Sequence, residues 1–172
     1  LAFRPDIAVI HLGVNDTDPR NWPNYRDDFI PDYRHLIDTL RSISPRVRIL
    51  IARTTPIGVE HPRFESGTRY WQAEIQHAID QVARGAGVQL IDLHEPLYPY
   101  PHYLPDAIHP DPAGAAILAR TVYGAITGDY ANDFAKTISN TRASHGDKVV
   151  VRRKAFEIGI NERWQRINNV IA

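Results

Sequence analysis

Three polar side chains in this sequence have types and spacing that suit acyl chemistry. In "LPDAIHPDPAGAAILA" (104–119), Asp106 stands three positions before His109. A histidine can take up and return a proton near neutrality, because its ordinary pKa is about 6.5. A carboxylate close by can bond its second ring nitrogen, set the tautomer and stabilise the imidazolium. In "HLGVND" (11–16), the Asn15 amide is a donor suited to an oxyanion, and Gly13 permits the tight turn that would aim it. Each motif also has an ordinary reading. Asp106 can cap a turn beside a surface histidine, and Gly-Val-Asn-Asp can be a plain loop.

A scaffold must bring these two stretches together across more than 90 positions of chain. The runs "DIAVIHLG" (6–13), "RVRILIA" (46–52) and "VQLIDL" (88–93) are short, apolar and rich in Val and Ile, as buried parallel strands are. Between them, Phe29, Tyr33, Leu36, Ile37 and Leu40 recur at helical spacing, with Pro31 expected to kink or restart that helix. Trp71, Ile75, Ala78, Ile79 and Val82 form a second stripe, ended by Gly85 and Gly87. A third helix is predicted from Asp111 as N-cap and Pro112 to Gly128, with Ala116, Ile117 and Tyr123 facing inward. Strand–helix alternation of this kind predicts an α/β domain with a parallel sheet. Its active crevice should lie beyond the carboxyl ends of the strands. Both chemical motifs follow a predicted strand, so both should face that edge.

Other residues near the edge carry alternatives. Trp22, Tyr98, Tyr100 and Tyr103 can stack on the apolar faces of sugars or simply cover the end of the sheet. Arg53 and Arg63 can meet an acidic group or be ordinary surface charge. His94, His102 and His109, with Glu95 and Asp106, match no compact metal-ligand spacing, so no metal and no cofactor is expected. His11 reads as a core or subsurface residue, and His35 and His77 as surface. There are no cysteines, which removes disulfides and a thiolate nucleophile. A formal net charge of +0 gives no argument for nucleic acid or an anionic membrane, and no apolar run is long enough for a membrane span.

"PDIAVIHLGVND" and "PDAIHPDPAGAAILA" resemble the third and fifth sequence blocks of the SGNH hydrolase (GDSL-type esterase) superfamily. "NWPNYRDDFIPDYRHLID", "DLHEPLYPYPHYLPDAIHP" and "VYGAITGD" resemble its sialate O-acetylesterase-like and other carbohydrate-esterase members. The resemblance spans about residues 4–130. It implies a three-layer flavodoxin-like α/β fold, hydrolysis of an acetyl or related ester on a carbohydrate without a cofactor, and a secreted or periplasmic setting. It implies Asp106 and His109 as acid and base of a Ser-His-Asp triad and Asn15 as an oxyanion donor, on the turn that Gly13 supports; of the rings flanking the crevice, Trp22 and Tyr103 are the candidates to face substrate.

One part of the pattern is missing. The family's nucleophile sits in a Gly-Asp-Ser block on its first strand, and this sequence has no such block. Ser42 and Ser44 fall at the wrong edge of the sheet, Ser139 and Ser144 in the tail; Ser66 follows the second strand and is a weak substitute. The chain, which opens on "LAFRPDIAVIHLG", therefore reads as the carboxyl-terminal portion of such a hydrolase, with N-terminal strand or strands and the nucleophile upstream. Alternatives are a non-catalytic carbohydrate-binding or scaffolding domain, and a lipase or thioesterase of the same superfamily. Residues 1–128 form the expected hydrolase domain, and 129–172 an extension of unassigned role. There, "KVVVRRKAFEIGI" suggests a strand and "NERWQRINNVIA" a short helix.

Overall fold

A computed structural model describes residues 4–57, 68–130, 150–153 and 156–159. The three apolar runs form strands β1 (Ile7–Ile10), β2 (Arg48–Ala52) and β3 (Gln89–Ile91). They pair in parallel in the order β1-β2-β3, with Ile10 opposite Ile51 and Ala52 opposite Ile91. Strand β2 has neighbours on both sides, and Ile49, Leu50, Ile51 and Ala52 are all buried. On β1, by contrast, Val9 is 40% exposed, and Leu12 just beyond the strand is 49% exposed. Among the described residues, nothing pairs with the outer edge of β1.

Helices α1 (Trp22–Ile43) and α2 (Thr68–Ala86) cover one face of the sheet. Their stripes, Tyr33 and Ile37 from α1 and Ile75, Ile79 and Val82 from α2, pack on Ile10, Ile49 and Ile51. Helix α3 (Pro112–Thr127) covers the other face, over Leu50, Ala52, Ile91 and Leu93. The result is the expected three-layer α/β arrangement. At its amino edge, Arg48 donates to the carbonyls of Ala125 and Ile126, tying β2 to the last turn of α3. Basic groups suit that end of a helix, where unpaired carbonyls gather.

Several local expectations need correction. Helix α1 runs unbroken through Pro31. Proline deletes one N–H, and the carbonyl that loses its partner belongs to Asp27 on the exposed face, where water can satisfy it. Helix α2 passes through Gly85 and stops at Gly87 (φ +62°), where the Val88 N–H reaches back to the Ala83 carbonyl. Its Gly85 leaves room for the Arg34 guanidinium of α1 to lie across the helix. In α3 the face on the sheet is Leu118, Val122, Ala125 and Ile126 rather than Ala116, Ile117 and Tyr123. The small residues of "PAGAAILA" give no sharp apolar stripe from which to read the rotation.

Residues 131–172 form a compact unit of their own. Its described part is an antiparallel pair, β4 (Val150–Arg153) and β5 (Phe156–Gly159), so "KVVVRRKAFEIGI" holds two strands instead of one. The expected helix at 161–172 lies outside the described residues.

Candidate active site

The segment after β3 turns twice before reaching α3. Leu97, Leu104, Ala107 and Ile108 are buried and pin it to the body, leaving the polar residues between them outside. Asp106 Oδ2 lies 2.6 Å from His109 Nδ1, while Oδ1 accepts the main-chain N–H groups of Ile108 (3.1 Å) and His109 (2.7 Å). A carboxylate is acceptor-only, so Nδ1 carries the proton and Nε2 is left as the basic nitrogen. The His109 main-chain N–H, then its ring, then the Ile108 N–H hold the Asp106 carboxyl well below the usual carboxylate range. The His109 side chain is 79% exposed.

This geometry depends on an unusual backbone. Ala107 has φ +74°, and it is the one non-glycine residue with positive φ among those described. A left-handed L-residue costs roughly 1–2 kcal/mol, and here it lets the chain fold back so that one carboxylate meets two N–H groups and the ring. The exit is fixed as well. Asp111 donates its N–H to the Tyr103 carbonyl (2.8 Å), and its side chain accepts the Gly114 N–H (2.8 Å) as the N-cap of α3. The small Gly114 lets α3 start flush against Tyr103.

At the end of β1, Gly13 is buried and takes φ +117°, a conformation that only glycine holds comfortably. A 3-10 turn follows over Asn15–Thr17. The Asn15 carbonyl accepts from the Asp18 N–H and the Asn21 side chain, which fixes its backbone. Its own side-chain amide makes no hydrogen bond to any described residue. It opens on a cleft of about 440 Å³ floored by Leu12, Phe29 and Tyr33 and edged by Asp16, Asp28 and Asp32. Desolvation pushes the Asp16 carboxyl up.

Asn15 and the Asp106/His109 pair thus share the carboxyl edge of one sheet, on the segments that follow β1 and β3, the strands on either side of β2. No hydrogen bond joins them, and the cleft at Asn15 includes neither Asp106 nor His109. Between them lies Arg53, just past β2. It binds Asp80 of α2 with two nitrogens (2.9 and 2.8 Å) and Asp92 past β3 with a third (2.8 Å). Asp92 in turn accepts the N–H groups of His94 and Glu95, anchoring the loop that leads to Asp106. Arg53 is therefore committed to two carboxylates, and its pKa rises accordingly. It is not the free cation that an acidic substrate would need. Arg63 lies outside the described residues.

Trp22 also moves out of the expected set. It is 5% exposed, edge-on to Phe29, with its indole N–H on Glu74 Oε2 (2.7 Å), so no face is open to a sugar. Of the tyrosines between β3 and α3, Tyr98 and Tyr100 are exposed; Tyr25, at the Asn15 cleft, is exposed as well. Tyr98 stacks on His94 (centroids 5.3 Å apart), and Tyr100 stacks on the half-buried Tyr103 (5.4 Å). His94 is engaged with Glu95 and Tyr98, and among the described residues no group of three potential metal ligands converges. His11 is exposed at the surface and is not the core residue expected, yet its Nε2 accepts the Thr55 N–H (3.3 Å) and the chain around it lowers its pKa by desolvation. His35 and His77 are exposed on their helices. Ser42 bonds the Thr39 carbonyl, and Ser44 caps α1, at the amino edge of β2. Ser66, Ser139 and Ser144 lie outside the described residues.

Comparison with known proteins fits this arrangement. Residues 1–117 match the model of the GDSL-like lipase/acylhydrolase family. An acetylxylan esterase of Xylanibacter ruminicola is 32% identical over 142 residues, 73% of this chain and 29% of that protein. Among solved structures, Axe2, an acetylxylan esterase from Geobacillus stearothermophilus, aligns with TM-score 0.58 and 22% identity over 76% of this chain and 63% of its own. A Bacteroides fragilis protein aligns with TM-score 0.59 at 14% identity, over 72% and 62%. This chain thus spans under a third of the curated relative and under two thirds of the solved esterase. With its parallel sheet, its sheet-edge Asn15 and its Asp106–His109 pair, the chain belongs to the GDSL-like lipase/acylhydrolase family.

Proposed function

We propose that this chain supplies the acid–base and oxyanion half of a serine ester hydrolase that removes acetyl groups from a carbohydrate. The observation that carries the reading is the 2.6 Å contact of Asp106 with His109 Nδ1, which leaves Nε2 as the basic nitrogen of an exposed ring. In this mechanism a serine hydroxyl gives its proton to His109 Nε2 while its oxygen attacks the acetyl carbonyl. The carbonyl oxygen, now negative, accepts a hydrogen bond from the Asn15 amide, which has no competing partner among the described residues. His109 then protonates the departing sugar oxygen, and water deacylates the serine by the same base. Asp106 holds the imidazole in one tautomer and stabilises its charged form.

The serine belongs to a segment outside these residues, and the edge of β1 beside Asn15, which pairs with no described strand, is a suitable place for it. A strand there would complete the sheet and cover Val9 and Leu12. Two further points support the reading. Catalytic mutants of the Geobacillus esterase alter an aspartate and a histidine three positions later, the spacing of Asp106 and His109. The Xylanibacter relative acts on acetylxylan by name, which favours a xylan-type acetyl ester over the sialate esters of the subgroup the motifs resemble. In this reading the exposed Tyr100 ring, backed by the half-buried Tyr103, meets the sugar.

The test is an assay of the polypeptide containing both halves, on acetylated xylo-oligosaccharides and on longer acyl esters. Hydrolysis of the acetyl substrates, lost in His109→Ala, is expected. Serine-dependent activity from these 172 residues alone, abolished by Ser66→Ala, would overturn the divided nucleophile. Binding of xylan with no hydrolysis by the complete polypeptide would favour a non-catalytic carbohydrate-binding domain.

A further inference from the structure

Asn15 sits on an exposed turn, and a useful oxyanion donor must hold still. What restrains the turn comes from an unexpected direction. Helix α2 places Gln72, Ile75 and Gln76 on one face, at the spacing that stacks side chains along a helix. Gln76 Oε1 accepts the Thr54 N–H (3.0 Å) and its Nε2 donates to the Thr54 carbonyl (2.9 Å). One side-chain amide thus pairs with the main chain just past β2 as a neighbouring strand would. Gln72 Nε2 donates to the Thr55 carbonyl and to Thr54 Oγ1 (3.2 Å). Thr54, Thr55 and Gln72 are buried, so these bonds satisfy groups that water cannot reach.

The clamped loop is the wall against which the Asn15 turn is built. A side chain at Gly13 would come within 3.2 Å of Thr54 Cγ2 and 2.9 Å of Ile75 Cγ2, which measures how closely the turn is packed against both. Next to it, the Thr55 N–H donates to His11 Nε2, two residues before Gly13. We infer that Gln76, assisted by Gln72, is a positioning residue for Asn15: it fixes the loop after β2, and that loop fixes Gly13–Thr17. The inference rests on the oxyanion reading of Asn15 given above.

Gln76→Met removes both bonds at nearly constant volume. In the 172-residue chain, hydrogen exchange of the Asp16, Thr17 and Asp18 amides should then accelerate about tenfold or more, with β3 and α3 amides unchanged. Gln76→Glu guards against simple misfolding. Its carboxylate keeps the acceptor and loses the donor, and protonation at low pH restores an O–H donor, so protection of the turn, compared with wild type at the same pH to cancel the titration of His11, should return as pH falls. In the complete enzyme, Gln76→Met should lower kcat about tenfold with KM little changed, and should add nothing in an Asn15→Ala background. Unchanged exchange in both variants, or a kcat loss that adds fully to that of Asn15→Ala, overturns the inference. An Asn15→Ala enzyme with undiminished kcat sinks the oxyanion reading, and the catalytic role of Gln76 with it. The exchange result then still reports whether the clamp holds the turn.

Discussion

His109 Nδ1 and Asp106 Oδ2 are 2.6 Å apart, and the same carboxylate also accepts the main-chain N–H of the histidine it orients. Ring and backbone of His109 are thus held by one group. Replacing it with asparagine keeps an acceptor for the backbone and disturbs the ring, because an amide can turn its N–H₂ toward Nδ1 and favour the wrong tautomer. On the proposed reading, Asp106→Asn in the polypeptide that carries both halves should lower kcat by up to about 10⁴-fold, the loss seen when the aspartate of a Ser-His-Asp triad is changed this way. Wild-type-like folding by circular dichroism would assign that loss to chemistry.

The left-handed Ala107 gives a second prediction. Glycine at this position relieves about 1 kcal/mol of backbone strain but removes a buried methyl worth about 0.8 kcal/mol. Ala107→Gly should therefore unfold in urea within about 1 kcal/mol of wild type. Ala107→Val adds a β-branch to a positive φ at a buried site and should cost about 2 kcal/mol or more. Equal stability of the valine variant would contradict the backbone assignment.

Gly13 should tolerate nothing larger. Its φ of +117° and the proximity of Ile75 and Thr54 combine strain with overlap, so Gly13→Ala should destabilise by about 2 kcal/mol or more. A thermal melt unchanged by the substitution would rule this out.

Two aromatic substitutions separate core from surface. Trp22→Phe loses the bond to Glu74 and part of a buried ring, and should lower stability by about 1–3 kcal/mol without raising KM. Tyr100→Ala removes an exposed ring and should leave stability nearly intact while raising KM for polymeric substrate several-fold. The opposite pattern would return Trp22 to the substrate site.

A pH prediction follows from His11. Its folded-state pKa is depressed, and the unfolded chain binds the proton at about 6.5. Its contribution to stability is thus complete above that value and declines as pH falls from about 6.5 toward the folded pKa. His11→Gln retains an acceptor for the Thr55 N–H without titrating. Melts at about pH 7.5 and about pH 5.5 should show a larger loss of stability for wild type than for the variant.

Much of this was legible from residue order. Runs of Val and Ile marked the three strands, the Asp111–Pro112 start and Gly128 end bounded α3, and Asp106-x-x-His109 closed into a hydrogen-bonded pair. What escaped was whatever depends on facing partners. Arg53 looked free because Asp80 and Asp92 are 27 and 39 positions away. Trp22 could be read as a substrate-facing ring because Glu74, its partner, lies on another helix. The left-handed turn had no glycine to announce it. Gln72 and Gln76 were visible beside Ile75 in the buried stripe of α2, and two amides at that spacing were the one signal available.

The free margin of β1 has a colloidal consequence. Its main-chain N–H and C=O groups meet no strand among the described residues, beside exposed Val9 and Leu12, the arrangement that promotes edge-to-edge association of identical chains. A formal net charge of +0 with an isoelectric point near 7.3 leaves copies with little mutual repulsion at neutral pH. These 172 residues on their own should scatter light increasingly with concentration near pH 7.3. They should disperse on the alkaline side, where net negative charge returns while His11 stays neutral.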